Sequence, residues 1–518
     1  MKKLGIEIED FKTMIDDNYY YVDKTMWIKE VLQQKITFLC RPNGFGKTLN
    51  LSMLYYFFSI KQKQNNYLFN HLKIYEDRKA MNHQNIYPVI SLSFKKLSGN
   101  NFDDLVKAYK QLLQNWLDHN LPDYNTLLNF VTSNDELLTV LNTICDYLKN
   151  IYHQKVVILI DDYDTPLYYS SINDFDITME AFINQLIEQI TKIENLFVAV
   201  FTGQTTLKIE YCQKINLINN TVFTTTPTIY FGFNQDEVTN LLQTYQLIHQ
   251  INDIEQYFGG YYFNDQFIYH PLWLLKGIYN ILNNDSIEIN FKLDDNWINQ
   301  YLTNYSPLIK TELNKLLSNH TIIKKVNKKL SYFDLTSLNN IYSYFIYTGF
   351  LTDDNSVNHY LALQHLKIPN LTAKQFYINM LTNWQVNYII KNRDKLITAL
   401  LNYQTNTAQE IINTIMHFSI SPLHYSEKYY QDILALLLGP LIQKIDNQNT
   451  FSIQNWQTKH ILKTISIHLT ICNYRDKFFE LTKKKICKNN YQALSYELLV
   501  YQNNCFLRLT NNNKSELH

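Results

Sequence analysis

A glycine-containing turn between a short apolar run and a helix-forming segment constrains this chain more than any other feature. The apolar run covers residues 36–40, and the turn that follows it reads Arg41-Pro42-Asn43-Gly44-Phe45-Gly46-Lys47-Thr48. A turn of this kind points backbone N–H groups toward an anion, with the positive end of a helix dipole behind them. The pattern therefore predicts a phosphate-binding loop.

The residue types in the loop predict its contacts. Lys47 would reach the β- and γ-phosphates of a nucleotide, and the Thr48 hydroxyl would bind Mg²⁺. The other predicted nucleotide-binding residues are Arg41, Asn43, Gly44, Phe45 and Gly46. The common loop pattern begins with glycine where this chain has Arg41, so the rest of the sequence must support the assignment.

A second apolar run, residues 156–160, ends in Asp161 and Asp162. Such a run is typical of a parallel strand buried on both faces. A carboxylate at its carboxyl end lies beside the phosphate loop, so Asp161 is predicted to hold the Mg²⁺ shell through water. Asp162 stands where many ATPases have a glutamate that polarises the attacking water. Because aspartate is one methylene shorter, we expect slow hydrolysis.

The intervening segments alternate between strand-like and helix-like patterns. Strands are predicted at 87–94, 196–203 and 228–233, and helices at 102–118, 135–151 and 179–193. This alternation indicates a parallel sheet with helices on both faces. A strand that lies between the loop strand and the Asp161 strand along the chain is typical of AAA-like P-loop ATPases. Thr202 is then predicted to orient the attacking water near the γ-phosphate, and the alternative is a plain strand-end hydroxyl.

An ordered series of short motifs runs through most of the chain. The motifs are Tyr21-Val22-Asp23-Lys24-Thr25, Arg41-Pro42, Phe45-Gly46-Lys47-Thr48, Asp161 to Pro166, Phe231 to Val238, Tyr257 to Tyr261, Tyr269 to Trp273, Tyr347 to Thr352 and Ile368-Pro369-Asn370. In them the chain resembles bacterial AAA-ATPase-like proteins that carry a C-terminal PD-(D/E)XK nuclease-like domain. Arg41 is the residue typical of that family, whereas Asn43-Gly44 replaces an arginine pair and Asp162 replaces a glutamate. The resemblance implies ATP and Mg²⁺ as cofactors.

The same resemblance implies an α/β chain with four regions. An AAA-like P-loop NTPase core would span 15–235, and a helical lid-like domain would span 236–330. A connecting region at 331–419 would lead to a degenerate PD-(D/E)XK nuclease-like α/β domain at 420–508.

The last region lacks part of the nuclease chemistry. The superfamily needs an acid on a first helix, an aspartate on one strand and Glu-x-Lys on the next. Glu427 takes the helix position and Glu480 the glutamate position, but Thr482 replaces the lysine. The aspartate position holds Ser466 or His468, depending on the register. We therefore expect a nuclease-like fold that is catalytically inactive and acts as an interaction module.

The fold of this region is predicted from its patterns. A helix is expected at 427–438, a hairpin of two strands at 464–472 and 477–482, and a further helix at 491–501.

Three functions remain open from the sequence. The first is an ATP-binding ATPase with slow hydrolysis, the second an active ATP-dependent nuclease on DNA or RNA, and the third a nucleotide switch that does not hydrolyse. An arginine finger must be one of five arginines or come from a protein partner or a second copy of the chain. The five are Arg41, Arg78, Arg393, Arg475 and Arg508.

Composition limits the partners. Lys plus Arg equals Asp plus Glu at 47 each, so no basic field indicates nucleic-acid binding, although the nuclease alternative would require it. The six cysteines show no metal-ligand spacing and favour a reducing cytoplasm. No apolar run approaches the ~20 residues that span a bilayer. A cytoplasmic nucleotide-binding protein is expected.

Overall fold

The computed structural model describes most of the chain and divides it into two compact units. The first unit comprises Met1–Lys292 and Asn319–Lys374, and the second comprises Leu293–Ser318 and Gln375–His518. The described residues are 2–124, 126–131, 133–207, 217–224, 228–263, 266–289, 306–336, 338–354, 363–418, 442–446, 450–458, 461–471, 493–501 and 504–510.

A five-stranded parallel sheet organises the first unit. Its strands are β1 (Ile36–Cys40), β2 (Val89–Ser93), β3 (Val156–Asp161), β4 (Leu196–Gly203) and β5 (Leu217–Asn220), in the order β2-β3-β4-β1-β5. All four neighbouring pairs are parallel. Every residue of β1 and β3 is buried, as expected for strands covered by helices on both faces.

The order of strands in the sheet differs from their order along the chain. The strand at 87–94 precedes the Asp161 strand along the chain, but in the sheet β2 lies at the edge beside β3. The strand between β3 and the loop strand β1 is β4. The carboxyl end of β4, with Thr202, therefore lies between the phosphate loop and Asp161.

Eight helices accompany the sheet within the described part of residues 2–207. They are α1 (Phe11–Asp16), α2 (Trp27–Leu32), α3 (Lys47–Phe58), α4 (Arg78–Met81), α5 (Phe102–Asn120), α6 (Asn134–Tyr152), α7 (Thr165–Ile172) and α8 (Asp176–Thr191). Short 3₁₀ helices cover Ile60–Phe69, Lys73–Glu76, Pro122–Tyr124 and Leu127–Phe130. The helices predicted at 102–118, 135–151 and 179–193 are confirmed as α5, α6 and α8. A capping box of Ser133 with Glu136 fixes the start of α6.

The fifth strand predicted at 228–233 is wrong. Thr228–Tyr230 forms a 3₁₀ helix, and the fifth strand is β5. Gly232 has a φ of +100°, and a Cβ there would lie 2.1 Å from Ile268 Cγ2, so the chain turns tightly at this point. Phe231 is buried edge-on against Trp27, with 4.9 Å between ring centroids. Phe231 is thus buried by packing on α2, whereas Ile229 is exposed and Phe233 forms one isolated antiparallel bridge with Tyr269.

Residues after β5 complete the first unit with helices and small antiparallel sheets. The elements are α9 (Gln235–Thr244), α10 (Ile251–Phe258), β6 (Tyr261–Phe263), β7 (Gln266–Ile268) and α11 (Pro271–Leu282), followed by β8 (Ile322–Lys325), α13 (Leu338–Tyr347), β9 (Thr352–Asp353) and β10 (Leu363–Lys367). Further 3₁₀ helices lie at Thr228–Tyr230, Ile248–Gln250 and Tyr332–Thr336. β6 pairs with β7, and β10 pairs with both β8 and β9.

A buried ion pair fastens the N-terminal motif to α9. Lys24 Nζ lies 2.7 Å from each carboxylate oxygen of Glu237 and 2.7 Å from the Ile229 carbonyl oxygen. Glu237 also closes a capping box with Asn234 at the start of α9. Two motifs that are some two hundred residues apart in sequence thus meet, and the charge of Lys24 is compensated in the interior.

The second unit contains helices and a five-stranded mixed sheet. Its elements are α12 (Ser306–Leu317), α14 (Leu371–Leu401, which begins in the first unit), α15 (Thr405–Phe418), β11 (Ile442–Asp446), β12 (Thr450–Thr458), β13 (Ile461–Ile471), β14 (Ala493–Tyr501) and β15 (Asn504–Thr510). The order is β11-β12-β13-β14-β15, in which only the β13–β14 pair is parallel.

The structure tests part of the predicted C-terminal region. The strand expected at 464–472 is confirmed as β13, but the helix expected at 491–501 is wrong, because β14 occupies residues 493–501. The reason is tertiary: β14 pairs on both sides, and Tyr496, Leu498 and Leu499 are buried. β13 pairs with β12 over Ile461–His468 and with β14 over Thr464–Ile471. Residues 477–482 and 427–438 lie outside the described residues.

The described helices do not support a membrane-spanning segment. Within the part of the chain that the structure describes, none of them combines the length and the apolar character needed to cross a bilayer.

Candidate functional site

The predicted loop has the strand–turn–helix geometry expected of a phosphate-binding loop. β1 ends at Cys40, and α3 begins at Lys47. Gly44 and Gly46 adopt left-handed conformations, with φ of +81° and +83°. The N-terminus of a twelve-residue helix therefore lies directly behind the turn, which is the arrangement that attracts an anion.

The Lys47 side chain forms hydrogen bonds to other residues of the same loop. Its Nζ lies 2.9 Å from the Arg41 carbonyl oxygen, 3.3 Å from the Pro42 carbonyl oxygen and 3.0 Å from Asn43 Oδ1. The side chain is buried, with 5% of its surface exposed. The ammonium group is thus held at the centre of the loop by neutral oxygens that an anion could replace.

Asp161 joins three elements through its carboxylate. Thr48 Oγ1, on the first turn of α3, donates to Oδ2 at 2.7 Å, and Thr202 Oγ1, at the end of β4, donates to Oδ1 at 2.5 Å. Asp161 and Thr202 are buried. The two predicted Mg²⁺-site residues, Thr48 and Asp161, and the predicted catalytic residue Thr202 therefore meet at one carboxylate.

Asp162 follows Asp161 at the same edge of the sheet but in an unusual backbone conformation. Its φ is +51°, in the left-handed region that few residues other than glycine adopt. Burial, with the adjacent Asp161 charge, raises the pKa of Asp162 to about 6, and Lys47 opposes this shift. A partly buried carboxyl group with a raised pKa is typical of functional sites.

The structure places the Arg41 side chain away from solvent. Its surface is fully buried, and Nη1 donates to the Cys40 carbonyl oxygen at 2.8 Å. The guanidinium carbon lies 5.9 Å from the ring centroid of Phe231 and 5.7 Å from that of Phe263. Burial lowers the pKa of Arg41 to about 10, so the group stays charged at neutral pH. This environment favours support of the loop by its side chain over contact with phosphate.

Asp164 supports the site, although sequence reasoning gave it no role. Its Oδ2 accepts hydrogen bonds from Gln204 N at 2.9 Å, from Thr205 N at 2.7 Å and from Thr205 Oγ1 at 3.0 Å. Burial raises the pKa of Asp164 despite these donors. The carboxyl group fixes the chain after β4 and thereby Thr202. The signal in the sequence was the third acid of Asp161-Asp162-Tyr163-Asp164.

Phe45, another of the predicted loop residues, is surrounded by aromatic residues from motifs further along the chain. The Phe45 ring centroid lies 5.5 Å from that of Tyr261, 5.3 Å from that of Phe263 and 4.6 Å from that of His270. Phe45 itself is 1% exposed. Residues that follow the five sheet strands along the chain therefore pack behind the loop, and Phe45 is the loop residue that contacts them.

The remaining predicted residues are distributed as follows. Arg78 is exposed on α4. In the second unit, Arg508 Nε donates to Glu497 Oε2 at 2.7 Å. Ser466 and His468 lie on β13, whereas Glu427, Glu480 and Arg475 lie outside the described residues. Among the residues whose placement is described, no group of three or more His, Cys, Asp or Glu side chains could hold a metal ion. Magnesium does not require one, because it usually keeps water ligands and one or two carboxylates.

Comparison with known families agrees with this geometry. No curated protein matches the sequence. Residues 5–212 match the model of the AAA-ATPase-like family, whose description reads "Predicted AAA-ATPase". The matched segment contains the whole loop together with Asp161, Asp162 and Thr202, and its four parallel strands, β1 to β4, with flanking helices are consistent with an AAA-like domain. The candidate site therefore lies in a segment similar to AAA-ATPases, which supports a general ATPase-type function.

Proposed function

We propose that the first unit binds Mg·ATP at residues 41–48 and hydrolyses it slowly. The observation that carries this proposal is the carboxylate of Asp161, which joins Thr48 of the loop helix to Thr202 of the neighbouring strand. These hydrogen bonds bring the two predicted magnesium-site oxygen atoms, Thr48 Oγ1 and Asp161 Oδ2, together beside the loop. The match of residues 5–212 supports the ATPase class.

The residues present fit a magnesium ion. Thr48 Oγ1 and Asp161 Oδ2 are hard oxygen atoms that lie 2.7 Å apart beside the loop, and Mg²⁺ prefers oxygen ligands. Thr48 would bind the ion directly and Asp161 would hold its water shell. When bound, Mg²⁺ neutralises charge on the phosphate oxygens.

Lys47 and the loop backbone would bind the phosphates. The Lys47 ammonium group would exchange the Arg41 and Pro42 carbonyl oxygens for phosphate oxygens, which are charged acceptors and form stronger hydrogen bonds. The backbone N–H groups at the start of α3 would add to this attraction.

Asp162 would polarise the attacking water. Its ionised form accepts a hydrogen bond from water, and its pKa of about 6 leaves it ionised at neutral pH. Thr202 already donates to Asp161 at 2.5 Å, so in this proposal Thr202 acts by holding Asp161 in place. The short side chain of Asp162 is the reason that we expect slow turnover.

The proposal needs a positive charge from elsewhere for fast hydrolysis. The Arg41 side chain is enclosed by Phe231 and Phe263, so it is not available to a γ-phosphate in this conformation. An arginine from a protein partner, or Arg78 from a second copy of the chain, could supply the charge.

Replacing the Thr48 hydroxyl tests the assignment of the magnesium site. Thr48→Val keeps the shape of the side chain and removes the oxygen atom. We expect the dissociation constant of ATP to rise about tenfold with Mg²⁺ and to change little in EDTA, because one metal ligand is lost. Isothermal titration calorimetry of the full chain measures both values.

Thr139→Val is a matched control, because that hydroxyl only donates to the Glu136 carbonyl oxygen on α6. Equal loss of affinity with and without Mg²⁺ in Thr48→Val would contradict the magnesium assignment.

We further propose that the nuclease-like region has no nuclease activity and serves as an interaction module. In-register neighbours of Ser466 on β13 are Ser452 and Ser495, so neither adjacent strand supplies an aspartate there. Glu497 pairs in register with His468 but binds Arg508. These contacts support the loss of chemistry that Thr482 already indicates.

We expect no Mg²⁺- or Mn²⁺-dependent cleavage of single- or double-stranded DNA or RNA above background, with or without ATP. Gel assays of the full chain, with EDTA as the reference, measure this. Metal-dependent cleavage that disappears in Glu480→Ala would establish the nuclease alternative.

A further inference from the structure

The phosphate loop is held from behind by the start of α11. Leu272, in the first turn of that helix, donates its backbone N–H to the Gly44 carbonyl oxygen at 3.2 Å. Residues 271–282 lie beyond the segment that matches the AAA-ATPase-like model. A helix outside that segment therefore contacts the loop that is proposed to bind phosphate.

His270 caps this helix and faces the loop at the same time. Its Nδ1 accepts the Trp273 N–H at 3.3 Å, and its ring stacks on the Trp273 indole at 3.9 Å between centroids. The imidazole also packs edge-on against the ring of the loop residue Phe45, at 4.6 Å between centroids. Because burial lowers the pKa of His270, the ring is neutral, with Nδ1 as acceptor and the proton on Nε2.

The loop has a shape that admits this ring. A Cβ atom on Gly44 would lie 2.5 Å from His270 Cε1 and 3.3 Å from His270 Nε2. The positive φ of Gly44 independently disfavours a side chain there. His270 therefore packs directly against the backbone of the turn.

Asn43 connects this contact to the phosphate-binding lysine. It directly precedes Gly44, against which the His270 ring packs, and its side-chain Oδ1 lies 3.0 Å from Lys47 Nζ. A shift of the Asn43 backbone would move the oxygen that positions the ammonium group.

We propose that His270 is a positioning residue that holds the Asn43–Gly44 backbone, and through it Lys47, in the shape that binds the β-phosphate. The inference rests on the proposed function, because it assigns His270 a part in nucleotide affinity. It implies that affinity for di- and triphosphate depends on a helix that is remote in sequence from the loop.

Two substitutions separate the two nitrogen atoms of His270. His270→Asn retains an acceptor near the Nδ1 position and can cap the helix, but its side chain is too short to reach the loop. His270→Gln places its amide near the Nε2 position and loses the cap geometry. The two variants therefore remove different halves of the same contact.

In the full chain, we expect one variant to change nucleotide affinity and the other to change the melting temperature. His270→Asn should raise the dissociation constants of Mg·ATP and ADP about tenfold, with an almost unchanged melting temperature, because one positioning contact is lost. His270→Gln should keep affinity within about twofold but lower the melting temperature by roughly 2 °C. Calorimetry and thermal unfolding measure the two quantities.

A variant with a lost helix cap elsewhere provides the matched control. Asp77→Ala removes the side chain that accepts from Ala80 N at the start of α4, and it should lower the melting temperature without changing affinity. Affinity that falls in proportion to melting temperature in both His270 variants would overturn the inference, as would unchanged affinity in His270→Asn. If the wild-type chain bound neither nucleotide, the proposed function itself would fail, so the two failures are distinguishable.

Discussion

Lys47→Ala abolishes Mg·ATP binding if the loop works as proposed. The substitution removes the ammonium group at the centre of the loop, which now contacts the carbonyl oxygens of Arg41 and Pro42 and Asn43 Oδ1. Hydrogen bonds to charged groups contribute about 1.5–3 kcal/mol each, so the loss of two phosphate contacts should weaken binding about 100-fold or more. Calorimetric titration of the full chain measures the loss.

The nucleotide-free protein should tolerate this change. Lys47 is buried and bonds only to neutral acceptors within its own loop, so its removal relieves a desolvated charge while it leaves these acceptors with fewer donors. We expect the melting temperature without nucleotide to stay nearly constant. Lys79→Ala, an exposed lysine on α4, is the matched control for loss of positive charge. Normal affinity in Lys47→Ala would rule out the loop as the nucleotide site.

Asp162→Asn should separate hydrolysis from binding. The amide cannot take a proton from the attacking water, and general-base catalysis typically contributes about 10²–10⁴ in rate. We expect kcat to fall about 100-fold while the dissociation constant of Mg·ATP changes little. Steady-state phosphate release and calorimetry measure these values, and Asp162→Glu should instead raise kcat, because the carboxylate reaches further.

The raised pKa of Asp162 predicts a pH dependence of known sign. Its carboxyl group takes up a proton as pH falls through about 6, so kcat/KM of the wild-type protein should decrease below that pH. The decrease should be absent from the residual activity of Asp162→Asn. If Asp162→Ala leaves steady-state activity unchanged, Asp162 is only a strand-end acid.

The raised pKa of Asp162 also means that its ionisation lowers the stability of the folded protein. The folded-state pKa of Asp162 lies above the ordinary value of 3.8, so ionisation costs stability as pH rises through this interval. Asp162→Asn should therefore increase the free energy of unfolding by about 1–2 kcal/mol at neutral pH, after allowance for partial exposure, and have little effect near pH 3. Chemical denaturation at both pH values measures the difference. An ionised base that lowers the stability of the folded protein is consistent with a catalytic site.

Local patterns in the sequence determined the loop and the acidic strand. The apolar run at 36–40 and the glycines at 44 and 46 fix a strand, a left-handed turn and a helix start within a dozen residues. The run at 156–160 is apolar at every position, which specifies burial on both faces. Because these signals act between near neighbours, no knowledge of distant contacts was needed.

The same reasoning failed where burial came from distant segments. Residues 228–233 resemble a strand, but Phe231 finds its cover on Trp27, and Gly232 turns the chain. Residues 491–501 resemble a helix, but pairing with β13 and β15 makes residues 493–501 a strand. Intrinsic preferences of short apolar segments are weak, and tertiary pairing overrides them.

By itself, the sequence determined which residues are proposed to carry the chemistry, because Lys47, Thr48, Asp161 and Asp162 stand at positions fixed by local strand and turn patterns. Only the tertiary structure decided how they are held. The hydrogen bond of Thr202 to Asp161, the support from Asp164 and the contact of His270 with the loop all join segments that are far apart along the chain. Side-chain partners across such separations depend on strand order and helix packing, which no local pattern encodes.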